Sequence, residues 1–284
     1  MIENNIPVIV VSGKTIPEVW EKSLIETWEK GCIIKTQYDK PEDPPSRDVT
    51  MIMVIEEPLS EPRIHKNFPA GLENLEIYRQ EVIEGVHDYW INPDEGKWTY
   101  TYHQRLFNYK IFENKDTINQ IDYIINTLSQ SPYSRRAQGI TWIPHIDTLT
   151  NDPPCLQRIW CRLSQDSNNN YFLNMNTHWR SRDAYKAAFM NIFALTDLQK
   201  TISEQLSRKI NKEIKIGRYV DISDSYHIYG SYFNEFKKFL ESFKQRPFES
   251  RVWNTYDEIV QIAFEEGKKI LEKEKLTGDK GKII

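Results

Sequence analysis

The sequence predicts an α+β protein, a mixed β-sheet packed with long helices, in a single domain spanning residues 1–284. Three observations predict it. The middle of the chain is rich in short alternating strands, at 137–142, 156–163, 171–180 and 218–229. Long helical patterns flank them, at 16–31, 116–129, 183–210 and 256–273. No Gly/Ser-rich or Pro-rich linker divides the chain.

The elements follow in order. Residues 7–12, PVIVVS, are apolar and β-branched and predict a strand. Residues 16–31 form an amphipathic helix with Val19, Leu24, Ile25 and Trp28 on one face and Gly31 at its end. Residues 32–35 begin a further strand, and 38–47, rich in Pro and Asp, form a loop. Residues 49–55 are a buried strand. Helices are expected at 74–84 and, after a turn at 92–96, at 98–109. The helix at 116–129 carries the core stripe Ile118, Ile121, Ile125 and Leu128. Beyond the strand at 218–229 come a helix at 232–244, a lysine-rich helix at 256–273 and a tail ending in Ile283 and Ile284.

Composition narrows the function classes. The chain has 37 basic and 41 acidic residues, so a formal net charge of -4 gives no global field for a polyanion, and no nucleic-acid partner is expected. A single phosphate needs only a local arginine cluster. Three cysteines, Cys32, Cys155 and Cys161, give no disulfide framework. No signal peptide and no membrane-spanning run are visible, which points to a reduced, cytoplasmic protein without a membrane partner. The six histidines show no ligand spacing, so no metal is expected.

Cys155 closes the segment Asp152-Pro153-Pro154-Cys155, where two prolines restrict the backbone before the thiol. A free cysteine is ordinarily a small buried hydrophobe, and Cys32 and Cys161 are assigned that role. Cys155 differs by its company: Arg135 and Arg136 before it, and Arg180 after it, with arginines at the ends of strands on both sides. A thiolate needs nearby positive charge, and a phosphate needs forked guanidinium donors.

The ordered series Ser134-Arg135-Arg136, Pro153-Pro154-Cys155, Arg180-Ser181-Arg182-Asp183, Asn191-Ile192 and His227-Ile228-Tyr229 resembles the motif series of the thymidylate synthase family, over roughly residues 133–232. The resemblance implies that family's fold. It implies that Cys155 is the nucleophile adding to C6 of the pyrimidine, and that Arg180 sits by the thiol and the phosphate. It gives Ser181 to the phosphate, Asp183 to the base and the pterin, Asn191 to the uracil edge, and His227 and Tyr229 to the deoxyribose hydroxyl. Arg135 and Arg136 would reach across a homodimer interface to the other subunit's phosphate. Arg47 is a candidate mobile phosphate arginine. Glu81, with Glu84 as a competitor, is a candidate for organising proton transfers near O4, and Tyr102 for removing the C5 proton.

The sequence departs from most members at four places: Trp179 replaces glutamine, Leu156 replaces histidine, Ser225 replaces aspartate, and residues 186–190 replace a Gly- and Pro-containing run. In this it resembles the family's divergent archaeal branch. The implied activity is thymidylate synthase, converting dUMP to dTMP. The implied co-substrate is 5,10-methylenetetrahydrofolate or a related methylene-tetrahydropterin of the tetrahydromethanopterin type, with no metal. Thiolate addition at C6 would turn C5 into an enolate-like carbon, and hydrogen bonds at O4 would stabilise the developing charge. The alternatives are a dUMP, dCMP or CMP hydroxymethylase on the same scaffold, and a non-catalytic nucleotide- or RNA-binding protein. Asn191 favours uracil, because an amide offers both a donor and an acceptor to the O4/N3–H edge; a pure binder would have no need of the thiol.

Overall fold

The computed structural model describes residues 5–111 and 116–278; Ile283 and Ile284 lie outside them. In chain order the elements are β1 (Val8–Gly13), α1 (Ile16–Lys30), β2 (Cys32–Ile34), β3 (Ser46–Ile55), β4 (Ile64–His65), α2 (Leu72–Glu84), α3 (Tyr102–Phe107), α4 (Gln120–Gln130), β5 (Gln138–Ile140), α5 (Pro144–Asp147), β6 (Leu156–Gln165), β7 (Tyr171–Trp179), β8 (Arg182–Asp183), α6 (Ala188–Ile210), β9 (Ile214–Ile228), α7 (Phe233–Gln245), β10 (Val252–Trp253) and α8 (Glu258–Thr277). The main sheet runs β1-β3-β9-β7-β6-β5, with β2 on β3 and β8 on β9. β1 pairs with β3, and β7 with β9, in parallel, whereas β3–β9, β6–β7 and β5–β6 are antiparallel. The expected α+β class with a mixed sheet is therefore observed.

Strand alternation places the core on one face of the sheet. On β3, Val49, Met51, Met53 and Ile55 are fully buried and the residues between them are half-buried. β1 buries Ile9 and Val11 and leaves Val8 and Val10 at 68% and 63% exposure. Helices α1 and α6 cover the buried face: Trp20 of α1 is fully buried, stacks edge-on against Phe189, and donates its indole N–H to the Ala184 carbonyl at 2.9 Å.

Several expected boundaries move, each for a local reason. The helix expected from residue 98 begins at Tyr102, because the Thr101 hydroxyl caps it, accepting from the Gln104 amide at 2.9 Å, while Trp98 bridges Ile91. The helix expected from 116 begins at Gln120, where the Asn119 side chain caps the Asp122 amide. Ile118 therefore leaves the core stripe: it bridges Tyr109 and is half exposed, and Ile124 takes its place. The helix expected from 183 begins at Ala188, because Arg182 and Asp183 pair with β9 as a short strand. The loop expected at 38–47 ends earlier, because Ser46 and Arg47 pair with Ile34 and Ile33. Arg135 and Arg136 precede β5 rather than end a strand. The two-residue ladder of β4 and β10 was not expected at all.

Candidate active site

Cys155 lies on the bend that opens β6. β6 and β7 are antiparallel neighbours, so the residue after β7 comes back beside it: the Arg180 amide donates to the Cys155 carbonyl at 2.9 Å. The Arg180 side chain then holds the approach to the thiol, donating from Nε to the Pro154 carbonyl at 3.1 Å and from Nη2 to the Pro153 carbonyl at 2.5 Å. The prolines fix φ before the cysteine, and the arginine fixes their carbonyls. Burial pushes the Cys155 thiol up, Arg180 pulls it down, Asp152 pushes it up again, and Arg182 pulls it down.

A cavity of about 690 Å³ opens on this thiol. Eight of the twelve residues singled out in the sequence line it: Tyr102, Cys155, Arg180, Ser181, Asp183, Asn191, His227 and Tyr229. Tyr102, in the first turn of α3, accepts a hydrogen bond from the Leu156 amide at 3.3 Å, which anchors its hydroxyl one residue from the cysteine. Its ring meets Trp179 edge-on. Asp183 accepts from the amides of Tyr185 and Lys186, a turn that brings the chain into α6; burial nonetheless raises its carboxyl to about 6. Asn191 sits in the first turn of α6 and donates to the Tyr78 hydroxyl at 2.6 Å. His227 is held by β9, and Tyr229 crosses its ring edge-on at 4.5 Å. The corner after Tyr229 needs a glycine, because a Cβ on Gly230 would lie 1.6 Å from the Pro44 carbonyl oxygen. That contact packs the loop before β3 onto the cavity rim, where Lys35 and Tyr38 also stand.

The other four residues lie elsewhere. Glu81 of α2 is buried and lines a neighbouring cavity of about 660 Å³, which shares Tyr102, Asn151 and Asp152 with the first and adds Trp98 and Tyr100. Its carboxylate is 2.8 Å from Nδ1 of the buried His87, which also meets Glu274 and stacks on Trp90. Glu84 is exposed. Arg47 is outside both cavities: strand pairing turns it toward α1, and its guanidinium lies 4.9 Å from the Trp28 ring. Arg135 and Arg136 are exposed and line neither cavity of their own chain.

Three cavity or near-cavity groups were not singled out in the sequence. Arg182 is 2% exposed, ion-paired with the fully buried Asp221, stacked 4.1 Å from the Trp179 ring, and lines the cavity. Its only sequence signal was its place inside the Arg180–Asp183 motif. Asp48 and His87 act through long-range or turn-dependent contacts that no local pattern announces. Among the described residues, no group of three or more His, Cys, Asp or Glu could hold a metal ion, and no helix is long and apolar enough to cross a membrane.

A mixed sheet presenting a constrained cysteine and an arginine at one cavity is thus the architecture in hand. The thymidylate synthase family model matches residues 68–268. A Methanosarcina barkeri protein named "Putative thymidylate synthase" is 30% identical over 228 residues, covering 78% of this chain and 89% of its own. The same name is carried by a Methanocaldococcus jannaschii protein, 34% identical over 172 residues, which cover 59% of this chain and 68% of that one. The structure of the thermostable thymidylate synthase A from Bacillus subtilis superposes with a TM-score of 0.56 over 80% of this chain and 84% of the other, at 18% identity, a likeness of fold. The chain belongs to the thymidylate synthase family. It is accordingly of a methyltransferase-type enzyme family that works with a co-substrate of the methylenetetrahydrofolate type.

Proposed function

We propose that this chain, as one catalytic domain over its full length, is a thymidylate synthase that methylates C5 of dUMP to give dTMP. The observation that carries the reading is the meeting of Cys155, Arg180, Asn191, His227 and Tyr229 around one cavity. Cys155 adds to C6 of the pyrimidine, with Arg180 and Arg182 countering the cost of a buried thiolate. Asn191 commits one amide N–H to Tyr78, leaving its carbonyl oxygen and a second N–H for the uracil edge. Tyr102 lines the cavity with its hydroxyl held by the Leu156 amide, which suits a group that helps remove the C5 proton through water. Arg180 and Ser181 hold the phosphate, whose binding energy aligns the reacting carbons.

The co-substrate, a methylene-tetrahydrofolate or a tetrahydromethanopterin-type relative, supplies the carbon and the hydride. The neighbouring cavity fits a flat heterocycle, with Trp98, Tyr100 and Tyr102 in its wall and Glu81 to hold a proton-carrying water. The working form is a cytoplasmic homodimer with arginines shared between subunits. Two observations support that form: Arg135 and Arg136 stand free of their own cavity, and the face of β1 turned away from the helices exposes Val8 and Val10.

The test is to incubate the protein with dUMP and each methylene carrier in turn and to weigh the nucleotide product. A methyl group on C5 supports the reading. A hydroxymethyl group assigns the chain to hydroxymethylation on the same scaffold, and no C5 product with either carrier refutes both.

A further inference from the structure

His227 is 4% exposed and lines the main cavity, yet its Nε2 has no hydrogen-bond partner. An unpaired buried ring nitrogen costs free energy unless a ligand meets it. Whether that nitrogen donates or accepts is set by what its other nitrogen does. Nδ1 lies 3.2 Å from the Ser225 hydroxyl, and that hydroxyl lies 2.5 Å from Oδ2 of Asp48. Asp48 faces His227 across the β3–β9 ladder, so the three groups share one side of the sheet.

A hydroxyl has one proton to give. An ionised Asp48 can only accept, so the Ser225 proton goes to Asp48. The Ser225 oxygen must then accept from the ring, which places the imidazole proton on Nδ1 and leaves the Nε2 lone pair facing the cavity. The Ser225 main chain also bonds to the ring and favours its holding a proton. The Tyr229 ring packs edge-on against the imidazole at 4.5 Å.

We propose that Asp48, acting through Ser225, is a positioning residue that fixes His227 as its Nδ1–H tautomer and so makes the cavity select a ligand that donates a hydroxyl to Nε2. The carboxylate that the family's usual aspartate would place at position 225 is in this chain displaced across the ladder to Asp48, with serine as the relay. The tautomer does not depend on the dUMP reading. Only the identity of the hydroxyl, the 3′-OH of a 2′-deoxyribose, rests on the dUMP reading.

Nitrogen-15 NMR of histidine-labelled, ligand-free protein tests the tautomer, with His227→Gln assigning its signals among the six histidines. At mildly alkaline pH the wild type should show a protonated Nδ1 and a bare Nε2. Ser225→Ala and Asp48→Asn should each give a mixture of tautomers, and Asp48→Ser combined with Ser225→Asp should restore the single form. Binding is then read by calorimetry with dUMP and its 3′-deoxy and 3′-O-methyl analogues. The wild type should lose roughly tenfold in affinity or more for both analogues, and Asp48→Asn should lose most of that discrimination. A wild-type Nε2–H signal overturns the proposal. So does an unchanged Nδ1–H form in Ser225→Ala, which would leave the Ser225 main chain as the sole cause. Equal binding of all three nucleotides overturns the selection. If none of the three nucleotides binds while the tautomers behave as stated, the relay stands and the dUMP reading falls.

Discussion

Arg180 and Pro154 are joined by a hydrogen bond of 3.1 Å from the guanidinium Nε to the proline carbonyl, and the same side chain reaches the Pro153 carbonyl. The arginine that lowers the Cys155 thiol therefore also fixes the segment that aims it. Arg180→Gln removes the charge and most of the grip. The expected result is slower alkylation of Cys155 by iodoacetamide at neutral pH, by about tenfold for each unit that the thiol rises. Cys32→Ser and Cys161→Ser in the background keep the signal specific. An unchanged alkylation rate would show that Arg180 does not tune the thiol.

Cys155→Ser should abolish turnover and leave dUMP binding within a few-fold, because the hydroxyl keeps the shape of the site without the nucleophilicity. Cys161→Ser should stay active: Cys161 is fully buried on β6 in the core, away from the cavity. Its cost is in stability, read as a lower Tm. Product formation by Cys155→Ser would sink the covalent mechanism.

Asn191→Asp should shift preference from dUMP toward dCMP. The carboxylate accepts from a cytosine amino group but cannot donate to O4. The change also removes the amide donor to Tyr78, so kcat/KM for dUMP should fall by roughly ten- to a hundredfold, as for the loss of a charged or buried hydrogen bond. The measurement is the ratio of kcat/KM for the two nucleotides. A ratio equal to that of the wild type means another group reads the base.

Much of this site was legible because its residues lie in short motifs at strand ends, where antiparallel neighbours bring Cys155 and Arg180 together. Arg47 was misplaced for a physical reason. A Pro- and Asp-rich run reads as a loop, but its last residues are captured by pairing with β2, and strand alternation turns Arg47 toward Trp28 and Asp48 toward His227. Arg182 escaped notice because a charged residue inside a motif reads as solvated, and its partner Asp221 arrives from another strand. The late starts of α3, α4 and α6 follow from caps and a two-residue strand, features smaller than the window over which periodicity is seen.

Two buried groups give opposing pH dependences. Burial raises the Asp183 carboxyl from 3.8 to about 6, so the folded chain binds the extra proton in that window. Its contribution to stability is complete below 3.8 and is lost as the pH rises through 6. Burial lowers His227 from 6.5 to about 4, so there the unfolded chain binds the extra proton. That contribution is present above 6.5 and is lost as the pH falls through 4. Each slope reaches at most about 1.4 kcal/mol per pH unit, and between pH 4 and 6 the two offset. In urea titrations across this window, Asp183→Asn should make unfolding free energy climb more steeply with pH. His227→Gln should make it fall. Parallel curves for both variants and the wild type would contradict the burial argument.

Arg135 and Arg136 present the sharpest test of the assembly, since both are exposed and neither lines the cavity of its own chain. In a two-fold dimer each pair would complete the phosphate site of the other subunit. Arg136→Ala should then be severely impaired, by roughly ten- to a hundredfold in kcat/KM, since a charged hydrogen bond contributes about 1.5–3 kcal/mol. Cys155→Ser is inactive for a different reason and keeps its arginines. A mixed dimer of the two variants contains one site with both defects and one site with neither. Mixing the inactive proteins under conditions that allow subunit exchange should therefore restore activity, approaching one quarter of the wild-type level per subunit pair if exchange is random: half the dimers are mixed, and each has one of two sites intact, roughly as two-fold symmetry requires. Native mass spectrometry reports the exchange. If mixed dimers form and no activity returns, the arginines serve their own subunit, and the shared site is wrong.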